Sequence, residues 1–394
     1  MHTNVIHDVT VVGAGPAGLS AAFELTRTGF TPLVLERTRA VGDVWRNHYD
    51  GLRLNSGRYY SALPGSKFPL SAGGWPTRDD VVSLLESMPE RGGFSVQTGI
   101  EIEKISYDRE RDIWQITSTD NQQFESRAVV IATGANRIPV IPEWEGKNTF
   151  TGEIIHSSQF KNARDYVGKH VLVVGSGNSS AEIASRLAEH AASVTMSIRT
   201  PPQILPKSIY GIPLIGIGVW TKHLPMALVD GLLGFLRRTM IGDLSAYGLP
   251  SPAMPMSEQY AINNVVPILY YPFVEDVRAG RIKVAGTIQR IAGKDVEVFS
   301  TVSATPDNGG STTTLQPDVI VAGTGFRTGF SELIQIPDIT DDKGRPKVTS
   351  DQEFPDAPRM YFIGHVNPLS GQLNQIRQEA DKITRKLHQQ LSSN

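Results

Sequence analysis

The chain opens with an apolar run, a glycine-rich loop and an amphipathic stretch. Residues 8–12 are apolar and β-branched, which predicts a buried parallel strand. Leu19, Ala22 and Leu25 then place apolar side chains on one helical face, and residues 32–35 predict a second strand. This order of strand, loop, helix and strand predicts a βαβ unit and therefore an α/β fold with a parallel sheet.

The loop between the first strand and the helix has the sequence Gly13-Ala14-Gly15-Pro16-Ala17-Gly18, and the second strand ends on Glu36. Gly13 permits the tight turn, Gly15 lets a pyrophosphate approach the backbone, and Gly18 allows close packing of helix on strand. Glu36 can accept both hydroxyls of an adenosine ribose. The pattern predicts a dinucleotide site with its pyrophosphate at the helix N-terminus.

A second unit repeats this order from residue 170. Its loop is Gly175-Ser176-Gly177-Asn178-Ser179-Ser180, with serine in place of the third glycine, and its second strand, 193–198, ends at Arg199. An acid at that position suits a free ribose, whereas arginine suits a 2′-phosphate. The second nucleotide is therefore interpreted as NADP, and a solvated arginine at a strand end is the alternative.

The segments around these units complete the predicted fold. A helix over 76–88, capped by Thr77, and a β-meander over 100–116 precede a strand that ends in Ala132-Thr133-Gly134. A strand with this ending resembles the one that returns beneath FAD in two-dinucleotide flavoproteins, and this resemblance favours FAD as the first nucleotide. Later strands are predicted at 318–326 and 360–364, and a helix over 371–387 closes the chain. We expect 300–314 to be a polar turn region.

The segment from about 204 to 272 is apolar and rich in proline and glycine. It predicts a buried helical insertion, with an access path or a membrane-surface contact as alternatives. Its apolar runs are too short to span a bilayer.

Composition narrows the function classes. The chain has 394 residues, 40% hydrophobic and 20% charged, with a formal net charge of -2, which indicates a globular protein without affinity for nucleic acid. It has no cysteine, which excludes thiolate metal sites and a redox-active cysteine pair, and with them a flavoprotein disulfide reductase. No metal site is expected. The N-terminus lacks a basic region followed by an apolar run, so we expect a cytoplasmic protein without a membrane span.

A motif between the two units identifies a family. Phe150, Gly152, His156 and Phe160 resemble, in type and spacing, the identifying sequence of class B flavin-dependent monooxygenases. The ending Phe160-Lys161 is similar to the flavin-containing and N-hydroxylating branch, because Baeyer-Villiger enzymes typically carry tryptophan there. Residues 225–252 resemble the YUCCA group, whereas the Leu54-Asn55-Ser56 turn is more similar to the broader flavin-containing monooxygenases.

This resemblance implies two Rossmann-like dinucleotide-binding domains of the two-dinucleotide flavoprotein type. We expect residues 1–165 and 285–394 to form a FAD-binding domain and residues 166–284, including the insertion, an NADPH-binding domain. NADPH would reduce the flavin, and O2 would then give a C4a-(hydro)peroxyflavin that oxygenates nitrogen or sulfur of a small substrate. A Baeyer-Villiger or YUCCA-like reaction on a ketone or 2-oxo acid, an NADPH-flavin electron-transfer protein and a nucleotide-binding regulator without turnover remain alternatives. A homodimer is the default oligomer.

Residue roles follow from the motifs and the resemblance. Asn55 is the candidate catalytic residue near the flavin, with a turn-forming asparagine as the alternative interpretation. His156 is interpreted as a hinge or cofactor-coupling residue and not as an acid or base. The candidate cofactor-binding residues are Gly13, Gly15, Pro16, Ala17, Gly18, Glu36, Arg37, Gly42, Val44, Trp45, Arg46, Ile102, Ala132, Thr133, Gly134, Gly175, Ser176, Gly177, Asn178, Ser179, Arg199, Gly325, Phe326, Gly364 and Leu373.

Overall fold

The chain divides into two compact units. The computed structural model describes residues 5–209, 212–214, 216, 225–263, 266–300, 311–368 and 370–392. Unit 1 comprises Met1–Ile138 and Phe326–Asn394, and unit 2 comprises Pro139–Gly325. These borders differ from the predicted domain borders at 165/166 and 284/285. The reason is that the chain contributes one strand before and one strand after the second glycine loop to the sheet of unit 2.

Unit 1 contains a mainly parallel sheet with helices. Its strands are β1 (Ile6–Val12), β2 (Leu33–Glu36), β3 (Val96–Thr98), β4 (Ile102–Asp108), β5 (Ile113–Ser118), β6 (Gln123–Ile131) and β19 (Met360–Phe362). Its helices are α1 (Pro16–Arg27), α2 (Asp43–Arg46), α3 (Arg78–Gly92), α8 (Phe330–Leu333) and α9 (Gln372–Leu391). Short 3-10 turns lie at Arg58–Tyr60 and Leu70–Ala72.

Strand β6 organises this sheet. The order is β3-β2-β1-β6-β5-β4, and β19 also pairs with β6. The first half of β6 continues the antiparallel meander with β5, and its second half is parallel to β1 and β19, with Val12 opposite Ile131. One face of the sheet packs on α1, α3 and α9, and the other face packs on side chains of the meander and α8. The carboxyl ends of β1, β6 and β19 therefore meet at one edge, beside the glycine loop.

Unit 2 repeats the parallel arrangement. Its strands are β8 (Glu153–His156), β9 (His170–Val174), β10 (Ser193–Ser197), β11 (Ser208–Ile209), β12 (Ile212–Pro213), β13 (Ile282–Ala285), β14 (Thr287–Ala292), β15 (Asp295–Ser300), β16 (Ser311–Leu315) and β17 (Val319–Ala322). Its helices are α4 (Asn178–Ala188), α5 (Met226–Leu236), α6 (Met256–Asn263) and α7 (Tyr271–Arg278), with short helical turns at Lys147–Thr149, Ala163–Tyr166, Arg237–Ile241 and Ser245–Tyr247. The chain passes between the units at the short strands β7 (Ile138–Pro139) and β18 (Phe326–Arg327).

The order of the second parallel sheet is β13-β10-β9-β17-β8. It corresponds strand by strand to β3-β2-β1-β6-β19 of unit 1, so the internal repeat that the sequence predicts is confirmed. The same backbone bonds recur at equivalent places. Gly13 N–H donates to the Leu35 carbonyl at 2.7 Å, and Gly175 N–H donates to the Ser197 carbonyl at 3.0 Å.

The predicted start of α3 has a local cause that is visible in the structure. Thr77 caps α3 through its hydroxyl, which accepts the Asp80 N–H at 3.1 Å, while the Asp80 carboxylate accepts the Thr77 N–H at 2.8 Å. The expected polar turn over 300–314 is wrong at its end, because Ser311–Leu315 pairs with β15 as a strand. Residues 301–310 lie outside the described residues.

The described part of the insertion includes the helices α5 and α6, and α5 is not buried. In α5, Leu228 and Phe235 are 61% and 63% exposed, while Leu233 and Leu236 pack on the apolar cluster of Leu205, Leu214, Met256 and Leu269. Residues 210–211, 215, 217–224 and 264–265 of the insertion lie outside the described residues. Within the part of the chain that the structure describes, no helix has the length and apolarity needed to cross a membrane.

Candidate functional site

In the first glycine loop, close packing requires glycine at positions 13 and 18, whereas Gly15 faces open space. A Cβ on Gly13, whose φ is +107°, would lie 2.6 Å from the Ala132 carbonyl oxygen, and one on Gly18 would lie 1.8 Å from the Gly13 carbonyl oxygen. A Cβ on Gly15 would meet no atom within 4 Å. Gly15 is therefore not needed by the protein's own packing, which is consistent with a ligand that approaches the backbone there.

The N-terminus of helix α1 faces this space and has neither a side-chain cap nor a nearby acidic residue. Gly15 is its N-cap and supplies no side-chain bond, Pro16 follows, and no acidic residue lies in the first turn. The first N–H groups of a helix lack internal partners, and the helix dipole favours negative charge at this end. The loop and helix together form a site suited to a phosphate group.

Glu36 is buried beside the loop and held in one orientation. One carboxylate oxygen accepts the Ala14 N–H at 2.7 Å, and the other accepts the N–H and the hydroxyl of Thr38, each at 2.9 Å. An ionised carboxylate has about four acceptor positions, so capacity remains for a ribose hydroxyl. The sequence analysis did not identify Thr38, whose contact depends on a local turn after β2.

Polar atoms without partners lie at the neighbouring strand ends. The Thr133 hydroxyl, after β6, and Nδ1 of His365, after β19, are buried and have no hydrogen-bond partner among the described residues. Gly364 N–H donates to buried Glu379 at 2.8 Å, and burial raises the pKa of that carboxyl. A Cβ on Gly364 would lie 2.9 Å from the Ala17 Cβ. This edge therefore fits a large polar ligand, because buried polar atoms normally have partners.

Of the other expected contacts in unit 1, Arg46 is engaged elsewhere. Its guanidinium pairs with Glu86 at 2.5 Å and with Asp43 at 3.3 Å, which joins α2 to α3. Trp45 packs edge-on against His48. The remaining predicted positions of this group are Arg37, which is exposed, Gly42, which caps α2, Val44, which is 51% exposed, Ile102, which is buried in β4, and Leu373, which is buried in the first turn of α9.

Asn55 is half-buried, and its side-chain amide makes no hydrogen bond to a described residue. The turn around it is fixed by neighbours. Leu54 N–H donates to the Pro76 carbonyl at 2.9 Å, the hydroxyls of Ser56 and Ser61 lie 2.7 Å apart, and Ser61 also donates to the Gly57 carbonyl at 3.0 Å. The turn does not use the Asn55 amide, which leaves its donors and acceptor to a ligand.

In the second glycine loop, Ser180 stands in place of the third glycine, and Gly323 leaves space for its side chain. A Cβ on Gly175, whose φ is +124°, would lie 2.3 Å from the Gly323 carbonyl oxygen, to which the Ser180 hydroxyl donates at 3.3 Å. A Cβ on Gly323 would lie 2.0 Å from the Ser180 hydroxyl. Gly177, like Gly15, faces open space, and α4 begins after it without an acidic residue in its first turn. Ser176 and Ser179 flank this opening.

Two further predicted residues of unit 2 have different environments. The Asn178 side chain donates to the Pro267 carbonyl and accepts the Leu269 N–H, both at 2.8 Å, so it anchors the insertion to the start of α4. Arg199 is exposed and makes no hydrogen bond or ion pair with any residue in the described ranges. Its charge is therefore available to an anion.

His156 is buried at the end of β8 with both ring nitrogens paired. Ser158 N–H donates to Nδ1 at 3.2 Å, which assigns the proton to Nε2, and Nε2 donates to the Gly325 carbonyl at 2.9 Å. The same carbonyl accepts Val140 N–H at 3.1 Å. Burial lowers the pKa of His156 and keeps the ring neutral. The histidine fixes the backbone just before Phe326, where the chain leaves unit 2, which supports a positioning role.

The other motif residues pack around β8. A Cβ on Gly152 would lie 2.4 Å from the Asp318 carbonyl oxygen and 2.7 Å from the Phe150 ring. Phe160 is buried and stacks on Tyr166 with ring centroids 5.5 Å apart. Within the described ranges, no group of three or more histidine and acidic side chains is arranged to hold a metal ion.

Two parallel sheets, each with an open glycine loop before an uncapped helix, are the architecture of a two-dinucleotide flavoprotein. The family model for pyridine nucleotide-disulphide oxidoreductases matches residues 10–209. The chain is 31% identical to "Probable indole-3-pyruvate monooxygenase YUCCA9" of Arabidopsis thaliana, covering 89% of this chain and 82% of the relative. It is 30% identical to "Indole-3-pyruvate monooxygenase YUCCA8" of Oryza sativa subsp. japonica, with coverages of 84% and 78%.

Solved structures agree on the fold. A flavin-containing monooxygenase from Stenotrophomonas maltophilia superposes with a TM-score of 0.71 at 22% identity and covers 98% of both chains. The OTEMO complex with FAD and NADP gives a TM-score of 0.73 at 17% identity, with 98% of this chain and 85% of that chain covered.

The chain belongs to the pyridine nucleotide-disulphide oxidoreductase family and, with its YUCCA relatives, to the class B flavin-dependent monooxygenases. The predicted fold class and enzyme class are thereby confirmed. Because the sequence contains no cysteine, the thiol chemistry in the family's description is not available to it.

Proposed function

We propose that the protein binds FAD in unit 1 and NADPH in unit 2 and uses O2 to oxygenate nitrogen or sulfur of a small organic substrate. The observation that carries this proposal is the pair of equivalent glycine loops. The strand that follows the first loop and its helix ends in an acidic residue, and the strand that follows the second is succeeded by a basic one. Glu36 lies at the end of β2, and Arg199 lies just beyond β10. When bound, FAD would supply the redox and oxygen chemistry, which side chains of this protein cannot perform alone.

Residues of the protein would bind the two cofactors and hold them in position. The N-termini of α1 and α4 would face the two pyrophosphates, and Glu36 would accept ribose hydroxyls of FAD. Arg199 would pair with the 2′-phosphate of NADPH, because a guanidinium forms charge-assisted hydrogen bonds with phosphate. Asn55, whose amide is not used by its own turn, would donate a hydrogen bond within the oxygenation site. His156 would keep the backbone at Gly325 in place.

A second candidate is a Baeyer-Villiger or YUCCA-like oxygenation of a ketone or 2-oxo acid. Relatives of about 30% identity over most of the chain are named indole-3-pyruvate monooxygenases, which favours the 2-oxo acid version. The ending Phe160-Lys161, in contrast, supports N- or S-oxygenation. An electron-transfer reductase is less well supported, because the YUCCA relatives are named monooxygenases. The homodimer and the cytoplasmic location stay predictions.

Product analysis with labelled oxygen separates these candidates. The purified protein loaded with FAD is incubated with NADPH and ¹⁸O2 in the presence of an amine, a sulfide, a cyclic ketone or indole-3-pyruvate. We expect one ¹⁸O atom in an N-oxide or sulfoxide, with NADPH consumed in proportion. A labelled lactone, or a labelled carboxylic acid with release of CO2, would support the second candidate. NADPH consumption without a labelled product for any substrate would contradict both.

A further inference from the structure

Glu379, in the second turn of α9, carries a buried carboxyl group whose hydrogen-bond partners are both uncharged. The residue is 1% exposed. Its Oε2 accepts the Gly364 N–H at 2.8 Å, and its Oε1 accepts the side-chain N–H of Gln375 at 3.1 Å. Within the described ranges it takes part in no ion pair. A carboxylate buried without a cation is costly, so this environment favours the neutral acid.

Few charged groups surround this carboxyl. On its own helix, Lys382 is exposed and attracts the carboxylate through space, and Arg377 is exposed and bonded to another side chain of α9. After β19, His365 is neutral at physiological pH because burial lowers its pKa to about 4. Residues 16–23, the first two turns of α1, carry no charged side chain. Burial therefore raises the pKa of Glu379.

The Glu379 carboxyl lies behind the expected pyrophosphate site. Its partner Gly364 follows β19 and has a φ of +78°. A Cβ on Gly364 would lie 2.9 Å from the Cβ of Ala17, in the first turn of α1, so Gly364 packs against that turn and also bonds to the carboxylate. The pyrophosphate of FAD carries two negative charges. Its binding at the N-terminus of α1 would bring these charges near a third one, in surroundings of low dielectric constant.

Gln375 allows the carboxyl to change its protonation state without losing a hydrogen bond. A side-chain amide has donor and acceptor groups, and turning the amide over exchanges them. The Gln375 amide donates its N–H to the carboxylate, and after turning over it accepts an O–H on Oε1 of the neutral acid. Because Oε2 accepts the Gly364 N–H in both states, the backbone at Gly364 keeps its position.

We propose that Glu379 is a positioning residue that holds Gly364 beside the pyrophosphate site as a neutral acid, and that FAD binds together with one proton, which passes from solvent to Oε1 of Glu379. This inference rests on the proposed binding of FAD in unit 1. The affinity for FAD is then highest at low pH, where the carboxyl is already protonated. It falls as the pH rises from the pKa of Glu379 in the apoprotein to the higher pKa in the complex. A purely structural role of Glu379 produces no such dependence on pH.

The test is isothermal titration calorimetry of the apoprotein with FAD between about pH 5 and pH 9, in pairs of buffers with different ionisation enthalpies, which counts the protons taken up. For wild type we expect proton uptake and a fall in FAD affinity of about tenfold across the window of uptake. Glu379→Gln keeps an acceptor for the Gly364 N–H and a donor for Gln375 but cannot ionise. We expect it to bind FAD at high pH as tightly as wild type does at low pH, without this uptake.

Two further variants complete the design. Glu182→Gln changes another buried carboxyl, on α4, which pairs with Arg186 at 2.8 Å, and it should retain the wild-type pH profile. Glu379→Leu leaves the Gly364 N–H without its acceptor, so we expect FAD to bind about tenfold more weakly than in Glu379→Gln at every pH. Equal FAD affinity of the Leu and Gln variants would contradict the positioning role.

The failure of this inference is distinguishable from the failure of the proposed function. Wild-type protein that binds FAD without proton uptake at any pH in that range overturns the inference, and this result does not depend on the folding of a variant. Uptake that persists unchanged in Glu379→Gln overturns it as well. Both results leave the proposed function standing. A wild-type apoprotein that does not bind FAD overturns the proposed function and the inference together.

Discussion

One added methyl group should affect different properties at two glycines three residues apart, the stability of the apoprotein at Gly18 and the affinity for FAD at Gly15. In Gly18→Ala the new Cβ would lie 1.8 Å from the Gly13 carbonyl oxygen, far inside the roughly 3.0 Å limit of real contacts. The loop or helix α1 must move by more than an ångström. Overpacking of this kind costs about 1–3 kcal/mol, and the rigid strand ends on both sides favour the upper end of that range.

Gly15→Ala meets no protein atom. Gly15 has φ −79° and ψ −173°, an extended conformation that alanine adopts readily. The stability of the apoprotein should therefore stay within about 0.5 kcal/mol of wild type. The same methyl group would enter the space expected for the FAD pyrophosphate, so affinity for FAD should fall at least about tenfold, which is about 1.4 kcal/mol.

Denaturant unfolding of the two apoproteins measures the first quantity, and fluorescence titration with FAD measures the second. The reasoning is refuted if Gly15→Ala destabilises the apoprotein as much as Gly18→Ala does. It is also refuted if Gly15→Ala binds FAD with wild-type affinity.

Three further predictions concern other parts of the molecule. Arg199→Ala should raise KM for NADPH about 10- to 100-fold and leave KM for NADH unchanged, because only the 2′-phosphate loses its charge-assisted bonds; equal changes in both would contradict the assignment. The pKa of His365 falls from its ordinary 6.5 to about 4 in the folded protein, so between these pH values the unfolded chain binds more protons. Stability should therefore fall as the pH is lowered from 6.5 towards 4, by at most about 3 kcal/mol from this group, and His365→Phe should flatten the unfolding profile in that window. Thr77→Ala should cost about 0.5–2 kcal/mol of stability through loss of the cap on α3, whereas Thr77→Ser should stay near wild type; equal effects would show that the hydroxyl is not the cause.

The parts of the site that sequence could predict are those set by local geometry. The glycine loops follow from steric requirements at fixed spacing, and the Thr77 cap follows from an Asp three residues later. The correspondence between the two sheets follows from the repeated order of strand, loop and helix. For Gly18, whose Cβ would meet the Gly13 carbonyl, and for the Thr77 cap, the cause and the effect lie within five residues of one another.

What sequence could not predict depends on distant partners. Arg46 stays a predicted cofactor contact, and its ion pair with Glu86, forty residues later, has no signal in the local sequence. His365 has no motif around it, and its significance lies in an unpartnered nitrogen beside Ile131, 234 residues away in the chain. The two compact units have other borders than the predicted domains, because the pairing of β8 with β17 is not visible in either strand alone.

The most direct test of the account as a whole is anaerobic reduction of the FAD-loaded protein with NADPH, followed by rapid mixing with oxygenated buffer while the flavin spectrum is recorded. The account predicts a transient spectrum distinct from both oxidised and reduced flavin, shortened or lost in Asn55→Ala and retained in Asn47→Ala, which changes an exposed asparagine on the same loop. Failure of NADPH to reduce the flavin, or direct return to the oxidised spectrum with substrate present, would contradict a monooxygenase function.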